Sequence, residues 1–495
     1  MVATAPSTES AQTTPRRPGL GIRTILAENP HLEIERDKYN INVTANYGDQ
    51  LDAATVATAL AAHDGAQQPT HLYFHVPLCS YICHFCNYVK RLAPTGDKLD
   101  ESLDRWTELL LDESRRQLAA LPWLAGARVE SVYFGGGTAS LLRPHHLSRL
   151  MDHVKSSFDL LPGAEISLEG NPDNFLEDEI EQAAALGFNR FSIGVQSLQS
   201  EVNTFAGRKH DREMSLRALN KMVDSGLPFN ADMMFGLPHQ SVQTVADDIS
   251  ALIAMGTPTI TIYRLRNADR EQMGIGNRAV WNVETVRERI SDAGLWPTHH
   301  ETYEMREAIV ERFLDAGYHP SPCGWWNRPG TYGEGNDRNI PQVSRNKWQR
   351  FDTMIAVGPG AYGWATGRSS EVVQTHNIQD IAQYMKFMGN TETELPLSHG
   401  RRLADAQSLA TALGFNFKAN QLISIDRYQQ RYGVDLSTDE PLSSLFTELI
   451  DRGFVTRTRD GYLPTLDGES LHEEIISTYF HERIGGIVGE KICHR

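Results

Sequence analysis

The chain has 495 residues, a formal net charge of -16, 40% hydrophobic and 22% charged residues. That length exceeds one ordinary compact core, so a large domain with a smaller one is expected, and the absence of any run of about 18 apolar residues argues against a membrane span. The acidic balance disfavours a broad nucleic-acid footprint, because phosphates are neutralised by clustered Lys and Arg, and it points to a small partner.

The first 20 residues, rich in Ser, Thr, Ala and Pro and without an apolar secretory core, read as a disordered tail; an organellar transit peptide is the alternative, carried only by Arg16 and Arg17. Five cysteines without a recurring spacing do not make a disulfide framework, so a reducing cytoplasm is expected.

Between residues 70 and 270 short apolar runs alternate with helix-period segments, the pattern of consecutive βα units with parallel strands. The strands expected are "HLYFHVP", "VESVYFG", "EISLEGN", "RFSIGVQ", "FNADMMFG" and "TITIYRL". Helices lie between them, among them "SLDRWTELLLDESRRQLAAL" and "EDEIEQAAALG", whose last Gly suits a helix C′ position. Six units predict an α/β fold with a full or partial (β/α)6 barrel, and a doubly wound open sheet is the alternative that periodicity does not separate from it. In either architecture ligands sit beyond the carboxyl ends of the strands.

Residues 271–400, with Trp, Gly, Asn and Pro concentrated in "PCGWWNRPGTYGEGNDRNIP", read as a loop-rich elaboration of the first domain. From residue 401 the pattern changes to "RRLADAQSLATALG", "SIDRYQQRYG" and "PLSSLFTELIDRG", followed by "FVTRTRDGYLPT", where Asp460-Gly461 marks a hairpin. Helices followed by a hairpin predict a small winged-helix-like domain over 401–495.

Cys79, Cys83 and Cys86 form CxxxCxxC where the first strand gives way to a loop at Pro77. A structural zinc site calls for four ligands, and His75 and His84 are poorly placed to supply one. A disulfide leaves a third sulfur over, and a chance cluster of buried thiols is the plain alternative. Three sulfurs on a cubane iron–sulfur cluster leave one iron without a protein ligand, open to a substrate or cofactor.

CxxxCxxC after a first strand resembles the signature of radical S-adenosylmethionine (SAM) enzymes, in which three cysteines hold a [4Fe–4S] cluster whose fourth iron chelates SAM. The ordered set "YFHVPLCSYICHFC", "YFGGGTASLL", "EISLEGNPD", "RFSIGVQSLQSEVNTFAGRKH", "DMMFGLP" and "SRNKWQRFDTMIAVGPGAYG" is similar to the oxygen-independent coproporphyrinogen III oxidase (HemN-like) superfamily over roughly residues 70–480. The resemblance implies a radical SAM domain of (β/α)6 type with its loop-rich extension over 21–400, and a C-terminal domain of that family's kind over 401–495.

By that resemblance Cys79, Cys83 and Cys86 are the metal ligands, and one or two SAM molecules are the cofactor. The glycine triplet of "YFGGGT" ends a strand, where small residues let backbone groups approach a ligand, and Gly136, Gly137 and Thr138 fall at SAM-contacting positions. Glu169 and Asp232 are acidic residues in otherwise apolar strands and each needs a partner; a salt bridge or strand-end cap is the plain reading for either alone. With Gln196 and Arg208 they make a convergent polar ring, which the resemblance assigns to SAM. Tyr73, Phe85, Arg266 and Tyr362 fall at further contact positions, and Tyr73 and Phe85 fit equally as core aromatics. Cys323 and Cys493 are too isolated for another cluster, although Cys323 lies beside aromatic residues suited to a flat substrate. The electron source is therefore expected to be external, a flavodoxin or ferredoxin.

Coproporphyrinogen oxidases carry a further cysteine two residues after the third, where this chain has Cys86-Asn87-Tyr88. "CHFCNYVK" looks more similar to the methylase and cyclopropanase branch, so the expected activity is transfer of a SAM-derived one-carbon unit to an sp2 carbon of a small unsaturated substrate in specialised metabolism, by methylation or cyclopropanation. The alternatives are a coproporphyrinogen-like decarboxylase and a haem-binding chaperone. Arg264, Arg266, Arg328, Arg338 and Arg345 supply cations for an anionic substrate, so charge does not choose between them. No acid or base is assigned.

Overall fold

The computed structural model describes residues 21–33, 48–63, 65, 68–265, 279–321, 325–331, 340–367, 370–480 and 483–484. The expected tail at 1–20, Arg266, Cys323, Arg338 and Cys493 lie outside these described residues.

Six strands, Pro69–Val76, Arg128–Gly136, Asp159–Gly170, Arg190–Gln196, Phe229–Phe235 and Thr259–Arg264, run parallel, each paired with the next in sequence. A doubly wound sheet reverses its strand order about a switch point; this one does not, so the αβ units form an open, partial barrel. Along the first strand Leu72, Phe74 and Val76 join the main core with Leu103, Trp106 and Leu110 of the helix Asp97–Ala120, whose spacing places them on one stripe. Tyr73 and His75, on the opposite face of the same strand, line an interior cavity. The helix Glu179–Leu186 ends on Gly187 at φ 107°, the left-handed position expected there.

Residues 271–400 differ from the loop-rich reading. The segment holds the helix His299–Asp315 and six strands that widen the barrel into a 13-stranded sheet together with Asp49–Asp52. Thr353–Val357 lies parallel to the first strand, with Ile355 opposite Leu72, and Tyr362–Thr366, Val372–Asn377 and Leu397–Leu403 continue outward antiparallel. On the far margin Trp325–Asn327 and His319–Ser321 follow the sixth strand antiparallel. These strands are only three to seven residues long, so composition averaged over the segment is dominated by the Gly, Pro and Asn of their connections.

One buried carboxylate fixes the turn after Thr353–Val357. Glu113 accepts from the Gly358 amide at 2.8 Å, Asn377 Nδ2 at 2.6 Å and the Tyr384 hydroxyl at 2.5 Å. Burial pushes its carboxyl up to about 7, opposed by these donors.

The last part of the chain packs the helices Asp405–Lys418, Ile425–Tyr432 and Leu442–Asp451 with a three-stranded sheet in which Val455–Arg457 and Gly461–Pro464 form the expected hairpin around Asp460-Gly461. This winged-helix-like unit shares a second core with the sheet: Leu413, Phe417, Leu445 and Phe446 cluster with Trp348, Met354 and Trp364. It is also tied by buried charge. Arg306 Nη1 lies 3.1 Å from Glu474 Oε2 and donates to Ser470 O at 2.7 Å, and Arg264 Nη1 lies 3.4 Å from Glu474 Oε1. No helix among the described residues is long and apolar enough to cross a membrane.

Candidate functional site

The first strand stops at Pro77, and the chain turns into a loop that carries Cys79, buried, and Cys83 and Cys86, half-buried, all three as free thiols. Backbone bonds shape this loop: Cys86 N donates to Cys83 O at 3.3 Å, His84 N to Ala206 O at 2.9 Å, and Ala93 N to Cys79 O at 2.9 Å. Lys90 Nζ caps Cys86 O at 2.6 Å, and His75 Nε2 sits 2.7 Å from Val89 O, tying the end of the loop back to the first strand. Arg208 Nη1 lies 3.2 Å from Cys83 Sγ and so holds this part of the loop in place. Burial pushes the Cys79 thiol up to about 12, opposed by the hydrogen bond from Thr138.

These sulfurs suit a cluster better than a single ion. Among the described residues the one group of three donors whose ligand atoms all lie within 4.8 Å of one another is Asp104, His145 and the buried His146, and the cysteines do not converge that tightly. A cubane spreads its thiolates over separate irons, so the donor set of three separated sulfurs fits it.

The glycine triplet lies against this loop. A side chain on Gly137 would stand 2.6 Å from Leu78 O and 3.0 Å from Cys79 Sγ, and one on Gly136, at φ 108°, would strike His75. Thr138 N donates to Leu78 O at 2.8 Å. Gly137 is bare because the cysteine loop packs directly on it, while Gly136 is held bare by His75 and by its positive φ.

Glu169 and Asp232 both face the cavity. Asp232 accepts from Ser192 Oγ at 2.7 Å and Asn230 Nδ2 at 2.9 Å; Glu169 accepts from the Gly136 amide and the Tyr133 hydroxyl. Burial first, then the charge of Asp232, raises Glu169 to about 7, and burial raises Asp232 to about 6. The partners that the sequence demanded are these hydrogen-bond donors, and the charge of Arg190, a buried guanidinium from the fourth strand, also opposes both shifts.

The cavity, about 790 Å³, brings together Tyr73, Phe85, Cys86, Gly136, Glu169, Gln196, Asp232 and Tyr362. Gln196 ends its strand at φ 69°. Arg208 differs from expectation: its fork is turned onto Asn171 Oδ1 at 2.8 Å, Gly194 O and Cys83, behind the cysteine loop, where it is not among the residues lining the cavity. Of the arginines expected to supply cations, Arg264 lines the cavity but meets Glu473 and Glu474, while Arg328 Nη1 donates to Gly256 O and Arg345 Nη2 to Gln342, with neither in the cavity wall. The cations that sequence reading missed are Arg306, Lys347 and Lys418. Lys347 stood within the quoted "SRNKWQRFD", as a polar residue beside a tryptophan in an otherwise structural motif.

Residues 73–252 match the radical SAM superfamily. The oxygen-independent coproporphyrinogen III oxidase of Paracoccus denitrificans is 29% identical over 260 residues, 52% of this chain and 53% of that protein. The heme chaperone HemW of Escherichia coli is 25% identical over 418 residues, 84% of this chain and 99% of the chaperone. In structure, the radical SAM coproporphyrinogen III oxidase HemN of Escherichia coli superposes with a TM-score of 0.68 at 20% identity, over 88% of this chain and 94% of that one. The chain spans about half the length of the Paracoccus oxidase it matches in sequence.

The radical SAM match thus covers residues 73–252, and over longer stretches the chain is similar to coproporphyrinogen III oxidases and heme chaperones of the radical SAM superfamily's kind. A [4Fe–4S] cluster and SAM are the cofactors of that superfamily.

One expectation is overturned. Methylation or cyclopropanation in specialised metabolism rested mainly on Tyr88 standing where a cysteine was expected, and the relatives found over long stretches are coproporphyrinogen oxidases and heme chaperones. Tyr88 is a 58% exposed side chain in the cavity wall, and one exposed position has little leverage against several hundred aligned residues.

Proposed function

We propose that this chain is a radical SAM enzyme acting on a carboxylate-bearing tetrapyrrole, in the manner of its coproporphyrinogen oxidase relatives. The observation that carries the reading is the cavity itself: at about 790 Å³ it is roughly of the size of small-molecule sites, is walled by Trp325, Trp326, Trp348 and Trp364, contains lysines, and is lined at one point by Cys86.

Cys79, Cys83 and Cys86 would hold the cluster, and Tyr73, Phe85, Glu169, Gln196, Asp232, Tyr362 and the Gly136–Thr138 edge would receive SAM, as one molecule or two. Cluster and SAM together supply hydrogen-atom abstraction from unactivated carbon. The chain's own contribution is positional. Arg208 keeps Cys83 in place, the carboxylates attract the cationic cofactor, and the aromatic walls exclude water from the reacting centre. An external one-electron donor, a flavodoxin or ferredoxin, would reduce the cluster, and an external one-electron acceptor would take the electron left when the substrate radical loses CO2.

A heme chaperone is the second reading, favoured by the match to 99% of the length of the Escherichia coli chaperone. Anaerobically reconstituted protein with SAM and a strong reductant separates the two. Formation of 5′-deoxyadenosine and loss of carboxyl carbon as CO2 on adding coproporphyrinogen III support the enzyme. Stoichiometric haem binding with no CO2 release from the porphyrinogen abandons it for the chaperone.

A further inference from the structure

We propose that Lys347, with Lys418 beside it in the cavity, forms the receptor for a substrate carboxylate, making Lys347 a specificity-determining residue for carboxylates carried on a pyrrole or other aromatic ring. The inference rests on reading the cavity as the place of the organic substrate.

Two separate elements bring these lysines to one cavity. Lys347 follows the short helix Gln342–Asn346 in the sheet domain, and Lys418 ends the helix Asp405–Lys418 of the C-terminal unit. The ammonium of Lys347 stands 3.4 Å from the ring centre of Trp364, 5.0 Å from that of Tyr362, 5.1 Å from Phe415 and 5.6 Å from Trp348. Its hydrogen bond goes to the Tyr362 hydroxyl, at a long 3.4 Å.

Lys347 differs from the arginines of the cavity. Arg264 and Arg306 are met by Glu473 and Glu474. No carboxylate pairs with Lys347 among the described residues, and the charged group acting on it is another cation, Lys418. Four ring faces favour an ammonium by about 0.5–2 kcal/mol each at most, whereas burial and the like charge of Lys418 oppose the charge of Lys347. A ligand anion at Lys347 offsets that opposition, and the rings around Lys347 offer stacking surfaces for the aromatic rings of the body that carries it.

The same arrangement gives the receptor a pH dependence. Burial, then Lys418, lowers Lys347 to about 7, and the other titratable groups facing it are Tyr362 and His376. Burial keeps Tyr362 a phenol and holds His376 neutral, so neither supplies the missing negative or positive charge near neutrality. Anion binding therefore takes up a proton at Lys347, and affinity falls as pH rises above about 7.

The test uses reconstituted full-length protein and three probes: coproporphyrin, its tetra-amide, and 1,3,5-benzenetricarboxylate, a flat polyanion that is no tetrapyrrole. Binding is followed by quenching of tryptophan fluorescence, and the folding of each variant is checked by thermal unfolding. Wild type is expected to bind the two acids and discriminate against the amide, and Lys347→Met to lose roughly tenfold or more in affinity for the acids without a change for the amide. Affinity for the acids should fall above about pH 7 in wild type and stay level in Lys347→Met, with Lys418→Met intermediate. If the tricarboxylate behaves in this way and coproporphyrin does not bind, the receptor stands and the tetrapyrrole reading falls. Equal affinity of wild type and Lys347→Met for both acids, or no binding of either acid to wild type, overturns the receptor.

Discussion

Arg208 reaches Cys83: its Nη1 lies 3.2 Å from Cys83 Sγ while Nη2 donates to Asn171 Oδ1 at 2.8 Å and to Gly194 O. One guanidinium thus ties the cysteine loop to the ends of the third and fourth strands. Arg208→Gln leaves Asn171 and Gly194 without their donor, a cost of about 1–3 kcal/mol for each buried group, and releases Cys83. The expected result is a protein that reconstitutes with less iron than wild type, and Arg208→Lys, a point charge without the fork, should not restore it. Iron content and visible absorption after anaerobic reconstitution check this; wild-type iron loading in Arg208→Gln would show that the contact has no part in holding the loop.

Replacing any one of Cys79, Cys83 or Cys86 by Ala should remove the iron–sulfur absorption band, because a cluster on three thiolates has no fourth protein ligand to fall back on. Cys79→Ala is the most informative of the three, since Cys79 is buried against Gly137 and Thr138 and its loss leaves the other two sulfurs as they are. A full-intensity band in that variant removes Cys79 from the ligand set.

Glu169 gives a pH prediction with a definite sign. Its carboxyl lies at about 7 in the folded chain against an ordinary 4.5, raised by burial and by Asp232, so the folded state holds more protons than the unfolded one between those values. This contribution to stability is present below about pH 4.5 and is lost as pH rises through about 7. A cationic ligand offsets the charge that appears there, so SAM affinity should rise with pH from about 5 to 7 with proton release. Glu169→Gln should weaken SAM by roughly 10–100-fold and flatten the profile. Calorimetry in two buffers of different ionisation enthalpy measures both; an unchanged affinity in Glu169→Gln would remove this carboxylate from the cofactor site.

Local signals carried most of the fold. The six barrel strands, the left-handed Gly187 and the Asp460-Gly461 hairpin each follow from a few adjacent residues, and so does the grouping of Cys79, Cys83 and Cys86. What escaped are relationships between distant residues. The charge of Arg190 acts on Glu169 and Asp232 from the fourth strand, and Lys347 and Lys418 share a cavity only because the C-terminal unit packs on the sheet. The contacts of Arg208 with Cys83, Asn171 and Gly194 also escaped, because sequence shows that a guanidinium is present and not which way its fork is turned. Thr353–Val357 was quoted within a motif without being seen as a seventh parallel strand, since its partner Pro69–Val76 lies far away in the chain.

The contact between the barrel and the C-terminal unit predicts an acid-sensitive joint. Arg306 and Arg264 hold the Glu474 carboxyl below the usual range despite its burial, so the folded state holds fewer protons than the unfolded one below about 4.5. The stability this supplies is present above that value and is lost as pH falls below it. Glu474→Ala leaves two buried guanidinium groups with Glu473 as their shared carboxylate, so the cost should lie toward the lower end of about 3–5 kcal/mol. Chemical denaturation at neutral pH should show that loss, and the gap between wild type and variant should narrow as the pH is lowered toward the folded-state titration of Glu474. A gap that stays constant down to acid unfolding would mean that the Glu474 charge does not stabilise the joint.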